Sequence, residues 1–322
     1  MVQWELAAPR GATVRKPTWH ALAGGSRELD TLEAERMVRD LAAAGVSVLT
    51  LAWDGGALRD DLGGLLQLAA RHGLETWLRS RGGDGLDPGL AQALAGAGLR
   101  GFSADVDAPV SREREGTSLA AFRAAQAAGL SLCAETAVNR WNIDLLSTIR
   151  TTLSGFGVAR WHLHYPVLDV AAMPTAEQTE RSLRELAEVE HELGFSLELT
   201  AAPQYQRVRA ALGLEGDSRA RALGDGRGLM FVSYCGDIFP SAELPVPCGN
   251  LRMHDLVDVY RFHPTFRTLR DPSVLRGRCG ACECQRTCGG SRARAYALEG
   301  SLLGGDALCS HSPQALPSKS FP

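Results

Sequence analysis

The chain has no cysteine before Cys133; all eight of its thiols lie from there onward. No thiolate metal site and no disulfide can therefore form within the first 132 residues. Aromatic residues are scarce, at 6%, so Ala and Leu must supply most of the core. No apolar run approaches the ~18 residues that a membrane span needs. No basic tract argues for nucleic acid, and no basic amphipathic helix argues for a membrane surface, in a chain of net charge −3. No strand-like run is followed at once by G-x-G-x-x-G, which argues against a dinucleotide-binding fold. The start, MVQWELAAPRG, lacks a positive segment followed by an apolar one, so no secretory signal is expected. Eight cysteines in a chain without export point to a reducing cytoplasm, where clustered cysteines serve metals rather than disulfides.

What is present begins with size. The 322 residues, 45% hydrophobic, suffice for one large α/β domain and a small appendage. Apolar, strand-like runs occur at Val2–Leu6, Ser47–Ala52, Glu75–Leu78, Gly101–Ala104, Ser131–Val138, Ala159–Tyr165 and Ser196–Thr200. Helical patterns lie between them, at Thr31–Ala44, Asp60–Arg71, Pro88–Ala97, Ser118–Ala128, Asp144–Leu153 and Thr175–Leu193. Thr31 and Thr175 are placed to cap two of these helices, and Gly45, Gly73, Gly98, Gly129 and Gly194 to end five. Alternating strand and helix predicts a parallel sheet, and six or seven such units suit a curved or barrel-like sheet better than a flat, doubly wound one. The glycine-rich, charged stretch 213–228 reads as a mobile linker. Leu229–Ser233 and Asp237–Phe239 read as a hairpin around Cys235–Gly236 that opens a second, smaller domain at 229. The polar, Pro-rich end, 312–322, is expected to be disordered.

The strongest motif is C-x2-C-x5-C-x20-C, formed by Cys279, Cys282, Cys288 and Cys309. The first pair sits on one tight loop, Gly289–Gly290 permit a sharp turn beside the third thiol, and a helix over Ser291–Leu298 precedes the fourth. Four soft thiolates at such spacing select zinc or an iron–sulfur cluster over hard ions. Tetrahedral sulfur geometry suits both, and spacing alone leaves them even. Cys284 is a fifth thiol within the loop, able to exchange with Cys282 or to stay free. Cys235 and Cys248 bracket a short segment as two ligands of a conceivable second centre, and Cys133 reads as core.

The segment from Cys248 to Cys309 resembles the C-terminal SPASM/twitch domain of radical S-adenosylmethionine (SAM) enzymes, in the subgroup of alternative-haem and peptide maturases. VQWEL, TAVNRWNIDLL and TAAPQYQRV extend the resemblance over nearly the whole chain. It implies a partial (β/α)6 barrel, TIM-like, followed by a cluster domain. It also implies one [4Fe-4S] cluster on Cys279, Cys282, Cys288 and Cys309 rather than zinc. The family further carries C-x3-C-x2-C after the first strand, to hold the cluster that reduces SAM. Here that stretch is AAPRGATVRKPTWHALAGG, with Arg15, Lys16 and His20 but no thiol. Of the family's Gly-Gly-acid-Pro turn, which meets SAM, only Gly55 and Gly56 remain. Glu135 stands where relatives have Asn, and Ser103–Asp107 keeps the polar strand end only in part. Conventional SAM cleavage is thus not expected, and Gly55 and Gly56 are a vestigial SAM site.

Other polar residues have simpler readings. His162 and His164, two apart on a strand, share a face; they suit a ligand, or a satisfied strand-end pair, the simpler view. Asp54, Arg59, Asp60 and Asp61 suit a cap for the following helix. Glu135, in an apolar strand, needs a partner, with Arg140 or an Arg on an adjacent strand the candidates. The whole implies an accessory, substrate-binding or redox protein in peptide or tetrapyrrole maturation. Its partner would be an intact radical SAM protein, a precursor peptide or a tetrapyrrole. The alternative is a cluster-dependent oxidoreductase using SAM in an unusual way. A zinc-stabilised scaffold is a third, weaker reading.

Overall fold

The computed structural model describes residues 1–7, 27–80, 85–107, 112–214 and 220–313, with residues 112–117 described in backbone only. The stretch 8–26, which holds Arg15, Lys16 and His20, and most of the Pro-rich end lie outside the described residues.

Seven parallel strands run in chain order: β1 (Val2–Glu5), β2 (Val48–Trp53), β3 (Glu75–Ser80), β4 (Gly101–Asp105), β5 (Ser131–Ala137), β6 (Arg160–His164) and β7 (Ser196–Thr200). A helix follows each strand: α1 (Thr31–Ala43), α2 (Leu62–Arg71), α3 (Pro88–Gly96), α4 (Arg112–Ala127), α5 (Leu146–Ser154), α6 (Ala176–Val189) and α7 (Gln204–Ala211). The chain continues through β8 (Ala220–Asp225), β9 (Gly228–Val232), β10 (Asp237–Phe239) and β11 (Gly249–Asn250). Four helices complete it: α8 (Leu256–Phe262), α9 (Pro264–Arg270), α10 (Gly277–Gly280) and α11 (Arg292–Glu299).

The sheet closes. β9 pairs parallel with β1, Val2 opposite Met230 and Trp4 opposite Val232, while β8 continues from β7 and meets β9 at Gly224 and Asp225. The barrel is therefore closed rather than partial. The closing strand starts at the last residue of the segment expected to be a linker, and residues 220–225 of that segment are themselves a strand. The β9–β10 hairpin forms as expected, yet it is hydrogen-bonded into the barrel sheet rather than standing apart.

Alternation along each strand separates two environments. Most outward positions are apolar and pack under the helices. Trp4, Phe102, Leu163 and Trp161 are fully buried there, with Phe102 edge-on to Phe122 and Trp161 edge-on to Phe195. Burying each such ring contributes about 2–3 kcal/mol. Many inward positions are polar, Thr50, Ser103, Glu135, His162, Glu198 and Thr200 among them, beside Trp77 and Cys133. A barrel of this kind ordinarily fills its interior with branched aliphatic residues, so this lumen is a departure that points to function.

Local signals account for the helix ends. Gly45, Gly73, Gly98 and Gly129 adopt positive φ where helices stop. Thr175 caps α6, its hydroxyl accepting from Gln178 N, with Gln178 answering at the Thr175 backbone N–H. At α1 the cap is Asp30, reciprocated by Glu33, and not Thr31. Thr31 instead donates its hydroxyl to Asp61 at 2.7 Å.

Candidate functional site

The cysteine lobe is assembled from the chain beyond α9. Cys279, Cys282, Cys288 and Cys309 all line one cavity, together with Arg207, Gln285 and Gly290. Gly289 and Gly290 both adopt positive φ, +69° and +68°, which turns the chain back past the thiols. A Cβ at Gly290 would sit 2.9 Å from Cys279 Sγ, so only glycine leaves that sulfur room. Gly290 N donates to Cys288 Sγ at 3.4 Å, and Arg292 Nη2 approaches Cys279 Sγ at 3.6 Å.

One carboxylate ties this loop to the barrel. Asp306 accepts from Ser291 N at 2.6 Å, Leu308 N at 3.0 Å, Gln204 Nε2 at 2.8 Å and Arg294 Nη1 at 2.7 and 3.0 Å. Neither Arg294 nor Asp306 retains exposed side-chain surface. Arg294 also donates to Pro166 O and Ala201 O, beyond the C-terminal ends of β6 and β7. Cys288 and Cys309 therefore flank a segment locked against the barrel by a charged network. Asp225, at the end of β8, adds a second tie by accepting from Ala293 N at 2.8 Å.

Burial pushes the Cys288 thiol up to about 12, and Cys309 and Cys282 also lie above the ordinary range, burial again being the chief cause. A buried thiol becomes a thiolate when a metal supplies compensating charge. Four convergent sulfurs, N–H groups facing two of them, and space kept by Gly290 suit a thiolate-held metal centre. Cys282 also has other company. Its sulfur, Cys284 Sγ, a Glu283 carboxylate oxygen and a His311 ring nitrogen lie within 4.8 Å of one another. His311 Nε2 is 2.7 Å from Glu283 Oε1. Cys235 donates to Asp237 and Cys248 to Val246 O, and among the described residues neither joins a group of three metal-ligating side chains. Cys133 is buried, as expected.

A second polar cluster occupies the lumen. Glu135, His162 and Glu198 are register partners across β5, β6 and β7. Glu135 Oε2 lies 2.5 Å from His164 Nε2, 3.5 Å from His162 Nδ1 and 3.0 Å from Arg79 Nη2. Arg79 comes from β3, two strands away, and is the partner that sequence reasoning sought in Arg140 or on an adjacent strand. Barrel curvature makes that reach possible, and no linear pattern could have shown it. Burial alone would raise the Glu135 carboxyl, but Arg79 and the two imidazoles hold it well below its usual range. His164 is pushed down to about 3, by burial first and then by His162 and Arg79. The His162 and His164 rings stack with centroids 3.9 Å apart, and His162 Nε2 meets the Thr200 hydroxyl. The histidines thus belong to a convergent lumen cluster and not merely to a strand end.

Gly55 and Gly56 lie just past the C-terminal end of β2. Gly55 has φ +85°, Gly56 N donates to Asp54 Oδ1, and Gly56 O accepts from Trp53 Nε1 at 2.8 Å. These residues form a turn whose donors and acceptors are in part engaged internally. Asp61 makes no side-chain cap to α2; it pairs with Arg59 at 2.7 Å, while Arg59 stacks over Trp4 and donates to Leu29 O. The acidic cluster after β2 is therefore a tie between α1, α2 and β1.

No family profile matches the chain. The AdoMet-dependent heme synthase of Methanosarcina barkeri is 28% identical over 97% of both chains. The PqqA peptide cyclase of Methylobacterium nodulans is 27% identical, over 89% of this chain and 79% of that protein. Among solved structures, SuiB of Streptococcus suis bound to S-adenosylmethionine superposes with a TM-score of 0.67 at 12% identity, over 96% of this chain and 74% of its own. SuiB has also been solved bound to its precursor peptide SuiA. At that identity the likeness speaks to the fold alone. Among the described residues, no helix is long and apolar enough to cross a membrane.

Proposed function

We propose, from the near full-length likeness to an AdoMet-dependent heme synthase and the likeness to a PqqA peptide cyclase, that the chain is a radical SAM/SPASM-family iron–sulfur protein of cofactor or peptide maturation that does not itself cleave SAM by the family's usual reductive route. The observation that carries this reading is the distribution of sulfur. Four cysteines converge on one cavity in the C-terminal lobe, while no cysteine precedes Cys133. Cys279, Cys282, Cys288 and Cys309 would hold one [4Fe-4S] cluster, which when bound supplies one-electron transfer and a covalent tie. Gly290 N and Arg292 then donate to the sulfurs, and Arg207, paired with Glu180, lines the cavity. Zinc is the competing occupant of the same sulfurs.

The barrel acts as the binding unit, with its polar lumen beneath the C-terminal strand ends where such folds place their ligands. The relatives' names suggest two substrate classes, a tetrapyrrole or a precursor peptide. The chain would work beside an intact radical SAM protein that provides the reducing cluster. A second reading, an oxidoreductase that binds SAM in an unusual way, draws support from the retained Gly55–Gly56 turn and the near full-length match to an AdoMet-dependent heme synthase.

Anaerobic purification with iron and sulfide analysis, followed by an assay for 5′-deoxyadenosine, tests these readings together. About four irons and four sulfides per chain are expected, lost in Cys288→Ser, with no 5′-deoxyadenosine from the chain alone. Stoichiometric zinc without sulfide sinks the cluster assignment. SAM cleavage by the isolated chain sinks the accessory role.

A further inference from the structure

We propose that Glu135, His162 and His164 form a binding site for one divalent first-row transition ion inside the barrel, separate from the cysteine lobe. The carboxylate oxygen and the two ring nitrogens lie within 4.8 Å of one another. The closest pair, His164 Nε2 and Glu135 Oε2, is 2.5 Å apart. An ion about 2.0–2.2 Å from each donor, the usual range for imidazole and carboxylate ligands, fits a triangle of that size after small rotamer shifts. Two imidazoles and one carboxylate form a donor set of intermediate softness, suited to zinc, cobalt or ferrous iron rather than magnesium or calcium.

Three observations support the site. First, Thr200 holds His162 Nε2, which leaves Nδ1 directed at Glu135. A fixed outer partner on the remote ring nitrogen is the arrangement that orients metal-binding histidines. Second, the donors are shielded: side-chain exposures are 5% for Glu135, 4% for His162 and 13% for His164.

Third, the cluster already converges on a cation. Arg79 Nη2 lies 3.0 Å from both Glu135 Oε2 and His164 Nε2. His164 Nε2 can donate to the carboxylate or accept from the guanidinium, but it cannot do both. One positive charge is held by two of the three donors, with a frustrated proton arrangement. A divalent ion satisfies all three donors, and the displaced guanidinium has Asp105 and Glu243 to move towards.

Cobalt(II) is the probe, titrated into the anaerobically purified full chain and followed by equilibrium dialysis and electron paramagnetic resonance. One ion with nitrogen coordination is expected per barrel. Glu135→Gln and His162→Gln should each weaken binding by about 100-fold or more, and Thr200→Val by about tenfold. Arg79→Gln should tighten it, since the competing cation is gone, and cobalt should raise the melting temperature of Arg79→Gln more than that of the parent chain. Far-UV circular dichroism confirms that each variant is folded, and Thr200→Val, which keeps every ligand, serves if a ligand variant is not. Cobalt binding unchanged in the lumen variants, absent from the parent chain, or unaltered by Arg79→Gln overturns the site. Cys288→Ser distinguishes the lobes: it should strip the cysteine centre and leave lumen cobalt intact, so either assignment can fail alone.

Discussion

Replacing Asp306 by Asn removes the carboxylate that pairs with Arg294 where neither side chain meets solvent. Both Asp306 oxygens accept from N–H groups: Oδ1 from Arg294 and Leu308, Oδ2 from Arg294, Ser291 and Gln204. Whichever way the new amide turns, its NH2 faces donors, and the Arg294 charge is left buried without its counter-charge. Breaking a buried pair from one side costs about 3–5 kcal/mol. With an unfolding entropy of about 2.1 cal/mol/K per residue, that corresponds to a melting temperature lowered by roughly 5–7 °C for a chain of this length. The damage should be local as well as global, because Ser291 and Leu308 sit beside Cys288 and Cys309. Thermal and urea unfolding of anaerobic protein, with metal content measured on the same samples, reads both effects. Arg294→Met combined with Asp306→Asn should be less destabilised than the sum of the single variants by at least about 1 kcal/mol, since the orphaned charge is then absent. If Asp306→Asn melts within about 1 °C of the parent chain and keeps its metal, the anchoring role assigned to this carboxylate is wrong.

Two further outcomes follow from the same geometry. Gly290→Ala places a Cβ within 2.9 Å of Cys279 Sγ, Asp306 Cβ and Arg292 Nη2 at a φ of +68°; a loss of about 1–3 kcal/mol with impaired metal retention is expected, measured by denaturant unfolding and metal analysis. His164 stays neutral in the fold down to about pH 3, whereas the unfolded chain protonates it near its ordinary value of 6.5. Between those values the unfolded state binds the extra proton, so stability falls as pH falls, by at most about 1.4 kcal/mol per pH unit. The depressed Glu135 carboxyl adds to the same slope once pH drops below its ordinary value of 4.5. His164→Asn should flatten the stability profile between about pH 6.5 and 4.5 in urea titrations, and an unchanged slope there would falsify the neutral, buried state of His164.

The closed barrel is lined by Glu135, Arg79 and Glu198, whose charges would cost several kcal/mol each to desolvate unless they were paired. Each is paired here, Glu135 with Arg79 and Glu198 with Arg160.

Much of the barrel was legible in the chain itself. Each of the seven parallel strands overlaps a predicted apolar run, and the helix stops at Gly45, Gly73, Gly98 and Gly129 follow from local backbone chemistry. Local signals failed where long-range pairing wins. The segment 213–228 is rich in glycine and charge, yet part of it becomes a strand because β7 offers an unpaired edge. Thr31 resembles a cap in sequence, but Asp30 and Glu33 form the reciprocal pair. Arg79, Arg294 and Asp306 carried no signal at all, because each finds its partner across the fold.

By itself the sequence determined the alternating architecture, the cysteine spacing and the absence of thiols ahead of Cys133, because periodicity and ligand spacing are local properties. Only the tertiary structure decided that β9 closes the sheet, that Asp306 locks the cysteine lobe to the barrel, and that Arg79, Glu135, His162 and His164 meet. Those depend on which faces curvature brings together, and a linear chain does not encode that distance by distance.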